Sequence, residues 1–166
     1  MWRTRLKEIV TYFNSNGVKP DPAFLYEVNP PVDLPFLTTI PAPESLRDFY
    51  QLCDGGFFGP MIRFIPLARL ESETDRWIRV LKDYDDRGDV LSKSRHCVFA
   101  NDADGTPWIC DNESGEVASF YWKGGDWCDP RFASFDAFME DLLSHHSDDE
   151  DWSTMLDLVP RSGGTP

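Results

Sequence analysis

The chain has 166 residues, 41% of them hydrophobic and 14% aromatic, with 29 acidic against 16 basic side chains and a net charge of -13. The length fits one domain, and the apolar content supplies a core without a disulfide framework or a structural metal. A field this negative repels phosphate backbones, which excludes general DNA or RNA binding, and it disfavours anionic membrane surfaces.

Leu6, Ile9, Val10 and Phe13 recur at i, i+3, i+4 and i+7, so the spacing predicts an amphipathic helix over residues 3–16. Gly17 ends it, and Pro20 and Pro22 prevent its return. The proline-rich stretch 19–43 reads as an extended crossing segment with a short strand around Phe24–Val28. A second helix begins near Pro43, which suits a first helical position, with Leu46, Phe49, Tyr50 and Cys53 on its apolar face. Asp54-Gly55-Gly56 terminates it, and Gly55-Gly56-Phe57-Phe58-Gly59 reads as a helix stop plus a tight turn. Met61–Leu67 is β-rich and broken by Pro66, which predicts an edge strand or a strand end. A third helix spans about Ser72–Tyr84, followed by a charged loop to Asp89.

His96–Ala100, Thr106–Cys110 and Glu116–Trp122 read as strands. Asn101–Gly105 and Asp111–Gly115 separate them, and each separator is short, acidic and ends in glycine. Such loops close β-hairpins, so the block 96–122 is an antiparallel meander. A last helix follows the N-cap Ser134 and carries Phe135, Phe138, Met139, Leu142 and Leu143. The whole reads as a single α+β domain over residues 1–146, a mostly antiparallel sheet with flanking helices, and an acidic tail over 147–166. Leu158-Val159-Pro160-Arg161-Ser162 resembles a thrombin-type cleavage sequence and carries no functional argument.

The acidic excess is uneven. Residues 1–100 hold 14 acids and 13 bases, whereas residues 101–166 hold 15 acids and only Lys123, Arg131 and Arg161. No C-x-x-C pair links Cys53, Cys97, Cys110 and Cys128, so they read as buried free thiols of a reducing compartment. Asp102-Ala103-Asp104-Gly105 lacks the EF-hand spacing and reads as a turn. His145-His146 diverge by about 100° on a helix and do not share a metal site. No P-loop or G-x-G-x-x-G is present, and no nucleophile stands at a recognised spacing from a base. Trp77, Trp108, Trp122 and Trp127 read as core or core rim. Met1–Glu8 has basic residues with no apolar stretch behind them, and no apolar run reaches ~20 residues, which predicts cytoplasmic residence with no cofactor and no metal.

Four motifs in order carry a family resemblance. They are Ile40-Pro41-Ala42-Pro43-Glu44-Ser45-Leu46-Arg47-Asp48-Phe49-Tyr50; the helix-ending Leu52-Cys53-Asp54-Gly55-Gly56-Phe57; Ile65-Pro66-Leu67 running to an acidic helix start at Glu71; and Phe99–Gly105 with Trp108, Asp111 and Gly115-Glu116-Val117. Ser134-Phe135-Asp136-Ala137-Phe138 also fits. Over about residues 35–145 the chain resembles the SUKH superfamily of Smi/Knr-like domains. The resemblance implies a non-catalytic protein: an immunity protein that neutralises a cognate toxin, often one acting on nucleic acid, or alternatively an intracellular regulatory or scaffold protein. The acidic excess suits a basic toxin, bound by a monomer. On that reading the partner contacts are Asp102, Asp104, Glu113, Asp126 and Asp129, with Trp127 as an aromatic anchor.

Overall fold

The computed structural model describes residues 1–16, 27–31, 42–58, 62–85, 90–129 and 131–144. Along them run α1 (Trp2–Asn16), β1 (Glu27–Val28), α2 (Glu44–Leu52), β2 (Gly56–Phe58) and β3 (Ile62–Phe64). A 3₁₀ turn at Leu67–Arg69 leads into α3 (Leu70–Asp85). β4 (His96–Asp102), β5 (Pro107–Asp111), β6 (Val117–Tyr121), β7 (Asp126–Trp127) and α4 (Phe135–Ser144) complete them. The strands lie side by side in chain order, each antiparallel to the next, so the sheet needs no crossover. Of the charged loop expected over residues 83–89, residues 83–85 belong to the last turn of α3; residues 86–89, His145-His146, the tail and most of the proline-rich crossing lie outside the described residues.

α1 carries its predicted stripe, with Leu6, Ile9, Val10 and Phe13 all buried. Trp2 extends that stripe by one turn; its ring lies 6.0 Å from that of Phe135, and its Nε1 donates to Asp136 Oδ1 at 2.6 Å. The first turn of α1 has no acid of its own. Carboxylates of neighbouring helices take that place: Glu140 accepts from the Trp2 backbone N–H at 2.8 Å, and Arg3 bridges Asp48 and Asp136 at 2.7 Å each. They complement the positive end of the helix dipole.

α2 begins one residue later than its proline suggests. Pro43 is the N-cap, at φ -62° and ψ 155°, and its carbonyl accepts from Leu46 and Arg47. The helix stops where predicted, because Gly55 sits at φ +74° and a Cβ there would stand 2.7 Å from the Phe64 carbonyl oxygen. Positive φ and close backbone approach both require glycine at this point. The following residues correct the sequence reading: Gly56–Phe58 is strand β2, paired with β1 and β3, and not only a turn. Glycine hides a strand because it lacks the side chain that strand propensity reports. β3 is therefore internal to the sheet, and Pro66 marks a strand end.

β3 is short, which leaves part of β4 without a strand partner. α3 packs along β4 and fills that gap. The Thr74 side chain, fully buried, donates its hydroxyl to the Leu70 carbonyl at 2.8 Å and accepts from the Val98 backbone N–H at 3.1 Å. A helix side chain thus satisfies a sheet donor that would otherwise be orphaned.

The meander appears as predicted in β4, β5 and β6, with Gly105 at φ +85° and Gly115 at φ +78° in its turns. β7, which the sequence reading did not include, pairs with β6 through Phe120 with Trp127 and Tyr121 with Asp126. α4 is capped as predicted, the Ala137 N–H donating to Ser134 Oγ at 3.1 Å. Its apolar residues Phe135, Phe138, Met139, Leu142 and Leu143 are all buried.

Replacing Thr74 by valine keeps shape but removes the acceptor for the Val98 N–H. We expect Thr74→Val to lower unfolding free energy by roughly 1–3 kcal/mol, measured by urea titration. A Val98 amide exchanging with solvent no faster than in the parent would contradict the assignment.

Candidate functional site

A meander places successive turns at opposite ends of its sheet. Asp102 and Asp104 flank the β4–β5 turn, and Asp126 opens β7 just after the β6–β7 turn, so these three lie at one end. Glu113 lies in the β5–β6 turn at the other end, a strand length of about 14 Å away. Asp129 follows β7 on the sheet edge, exposed. Trp127 packs half-buried, 5.2 Å from the Phe120 ring and 6.3 Å from that of His96. The six residues singled out from sequence therefore do not form one cluster.

At the first end, the Thr106 backbone N–H donates to Asp102 Oδ1 at 2.8 Å and to Asp104 Oδ1 at 2.9 Å. The two carboxyls share this donor and compete. Partial burial, and then the neighbouring Asp104, push Asp102 up to about 6. Hydrogen bonding to Asp102 and to Thr106 brings Asp104 down to about 2. The tip carries two charges at neutral pH and loses one in mild acid.

At the second end a cavity of about 430 Å³ opens on the sheet. Trp108 packs 5.0 Å from Phe138 of α4, and its strand neighbours Ile109 and Asp111 point the opposite way, as strand alternation requires. Ile109, Ala118 and Val90 give the cavity an apolar lining, and His96 and Trp127 an aromatic one. Arg95 with Asp111 and Arg131 with Glu116 supply its charges.

Asp111 anchors this end. Its Oδ2 accepts from Arg95 Nε at 2.9 Å and Nη2 at 2.7 Å, and its Oδ1 accepts from the Glu113 and Ser114 backbone N–H groups at 2.9 and 3.3 Å. Burial opposes its ionisation, but the Arg95 side chain and the two backbone donors override that and hold the carboxyl well below the usual carboxylate range. Burial also pushes the His96 imidazole below its ordinary value, so the ring is neutral at pH 7. The sequence reading singled out none of His96, Arg95 and Arg131 as site residues; the strand register, His96 opposite Asp111, brings His96 to this end.

Cys53, Cys97 and Cys110 are buried, and Cys128 is half-buried. Burial, with Asp54 adding to it, pushes Cys53 up to about 12, and burial raises Cys97 further. His96 and Cys97 are adjacent in sequence and point to opposite faces of β4. Among the described residues no three His, Cys, Asp or Glu side chains gather as metal ligands. No helix of the described residues is long and apolar enough to cross a membrane.

Fold and site together define a single-domain α+β protein whose antiparallel meander presents a mixed-charge cavity. The chain belongs to the SMI1/KNR4 family (SUKH-1), whose sequence profile matches residues 38–141. No curated protein matches the chain. The matched span begins after α1, yet α1 contributes Trp2, Leu6 and Ile9 to the same core.

The Asp102–Asp104 competition has a signed consequence. A carboxyl whose folded value lies above its unfolded one favours the folded state in acid and penalises it once pH exceeds both values. Asp102→Asn removes that penalty. We expect the variant to melt above the parent at pH 7 and level with it near pH 3.5; a gain of equal size at both values would show that folding does not hold Asp102 above its unfolded value.

Proposed function

We propose that this chain is a non-catalytic immunity protein, which binds and neutralises a cognate, basic toxin that acts on nucleic acid. Membership of the SMI1/KNR4 family carries the reading, since that family is generally one of non-catalysts. The net charge of -13 supports it from a second direction. A protein that must hold nucleic acid presents positive charge, and an acidic inhibitor approaches such a surface with favourable steering and occupies the groove as a phosphate mimic. On this reading the protein acts as a cytoplasmic monomer.

Asp102, Asp104 and Asp126 stand at one end of the sheet and Glu113 at the other, so each end can be tested separately. Trp127 packs beside the cavity as a half-buried aromatic, suited to anchoring a partner.

The experiment is calorimetric titration of this protein into the product of the reading frame adjacent to its gene, at low and high salt. We expect nanomolar affinity that weakens as salt rises, and slower association when the acids of the engaged end are reversed to lysine. Tight binding unchanged by salt and by all five reversals, at Asp102, Asp104, Glu113, Asp126 and Asp129, would overturn the acidic-contact reading. No binding to that product, with a host protein recovered instead from lysate, would favour the regulatory alternative.

A further inference from the structure

We propose that the cavity beside Trp127 takes a carboxylate side chain, an aspartate or glutamate carried on a loop of the partner protein. This rests on the reading that the chain works by binding another protein; it does not require that partner to be a toxin.

A carboxylate offers about four lone-pair sites, and Asp111 has filled its own with Arg95 and with the Glu113 and Ser114 backbone N–H groups. It has nothing left to accept from a ligand. His96 is only 8% exposed and is a donor. The Ser92 backbone N–H donates to its Nδ1 at 3.0 Å, so the proton of the neutral ring sits on Nε2. His96 lines the cavity, and its Nε2–H has no hydrogen-bond partner among the described residues.

Arg131 is the second donor with capacity to spare. It faces Glu116 at 3.7 Å, which is an ion pair beyond hydrogen-bond reach, with both side chains close to half exposed. Residues 101–166 contain only three basic side chains, and Arg131 is the one that stands at this cavity. The lining thus offers an imidazole N–H and a planar guanidinium; its acceptors are the filled Asp111, Glu116, which is itself placed against Arg131, and the Ser92 hydroxyl, which is paired with that of Ser94 at 2.8 Å. A guanidinium and a carboxylate pair in two parallel hydrogen bonds, and such charge-assisted bonds are the stronger kind. Ile109, Ala118 and the Trp127 ring provide the apolar surface that a side-chain stem covers. In a chain of net charge -13, this pocket selects a partner by a charge that the molecule as a whole would turn away.

The test uses the full chain labelled with ¹⁵N and three blocked amino acids as probes: N-acetyl methylamides of glutamate, glutamine and lysine. Single contacts of this kind bind in about the millimolar range. We expect the glutamate probe to shift the Trp127 indole N–H and the Ser92 amide saturably. The glutamine probe should bind about tenfold more weakly, and the lysine probe should leave both signals in place. Arg131→Gln should cost the glutamate probe a similar factor while the rest of the spectrum stays unchanged. Free acetate separates a bare anion site from one shaped for a residue: acetate as tight as the glutamate probe overturns the proposal. Equal binding of glutamate and glutamine probes, or binding undiminished in Arg131→Gln, overturns it too. These outcomes do not involve the partner, so a failed titration against the neighbouring gene product leaves the proposal standing. Silence from every probe defeats it even where that titration succeeds.

Discussion

The fold depends on a single stack of phenylalanines between the helices and the sheet. Phe49 of α2 lies 4.5 Å from Phe64 of β3, nearly parallel to it. Phe64 is 5.8 Å from Phe99 of β4, and Phe99 meets Phe135 and Phe138 of α4 edge-on at 5.3 and 5.4 Å. Phe49, Phe64, Phe99 and Phe135 are at most 1% exposed. Edge-to-face and offset contacts at these distances add to the burial of each ring. The cluster ties two helices distant in sequence to two neighbouring strands, and so fixes which face of the meander the helices occupy.

Phe99 also explains the rest of the sheet. The pairing of β4 with β5 shifts by one residue between Val98 and Ala100, so Phe99 is an extra residue on its strand. A bulge of this kind re-aims the side chains beyond it. Before the bulge, His96 and Val98 share a face with Ile109 and Asp111; after it, Ala100 pairs with Trp108, whose ring packs on α4. The aromatic core and the mixed-charge cavity are therefore two results of one local irregularity, with helices on one side and the cavity on the other.

That irregularity also marks how far the sequence could be read. The helix stripes, Gly55 and the glycine-ended turns are local signals, and they placed α1, α2, α4 and the strands of the meander. β2 was hidden because a strand opening on glycines looks like a turn, and β7 because two residues carry no periodicity. The acids at the turns were visible one by one, but their separation onto two ends follows from topology. The cavity was not legible at all. Counting back from the Asp102–Thr106 turn without a bulge sets Cys97 opposite Asp111 and sends His96 to the helix side. Only the shifted register makes His96, Arg95 and Asp111 neighbours.

The apolar faces of α1, α2 and α4 are committed to the core, and the cavity and the acidic turns lie on the open face and ends of β4–β7. We propose that partners bind there. Hydrogen exchange of the protein with and without its bound partner measures this directly. The account predicts added protection confined to residues 90–131, across the meander and the cavity rim. Protection concentrated on the outer surfaces of α1 and α2, with the meander unchanged, would contradict it.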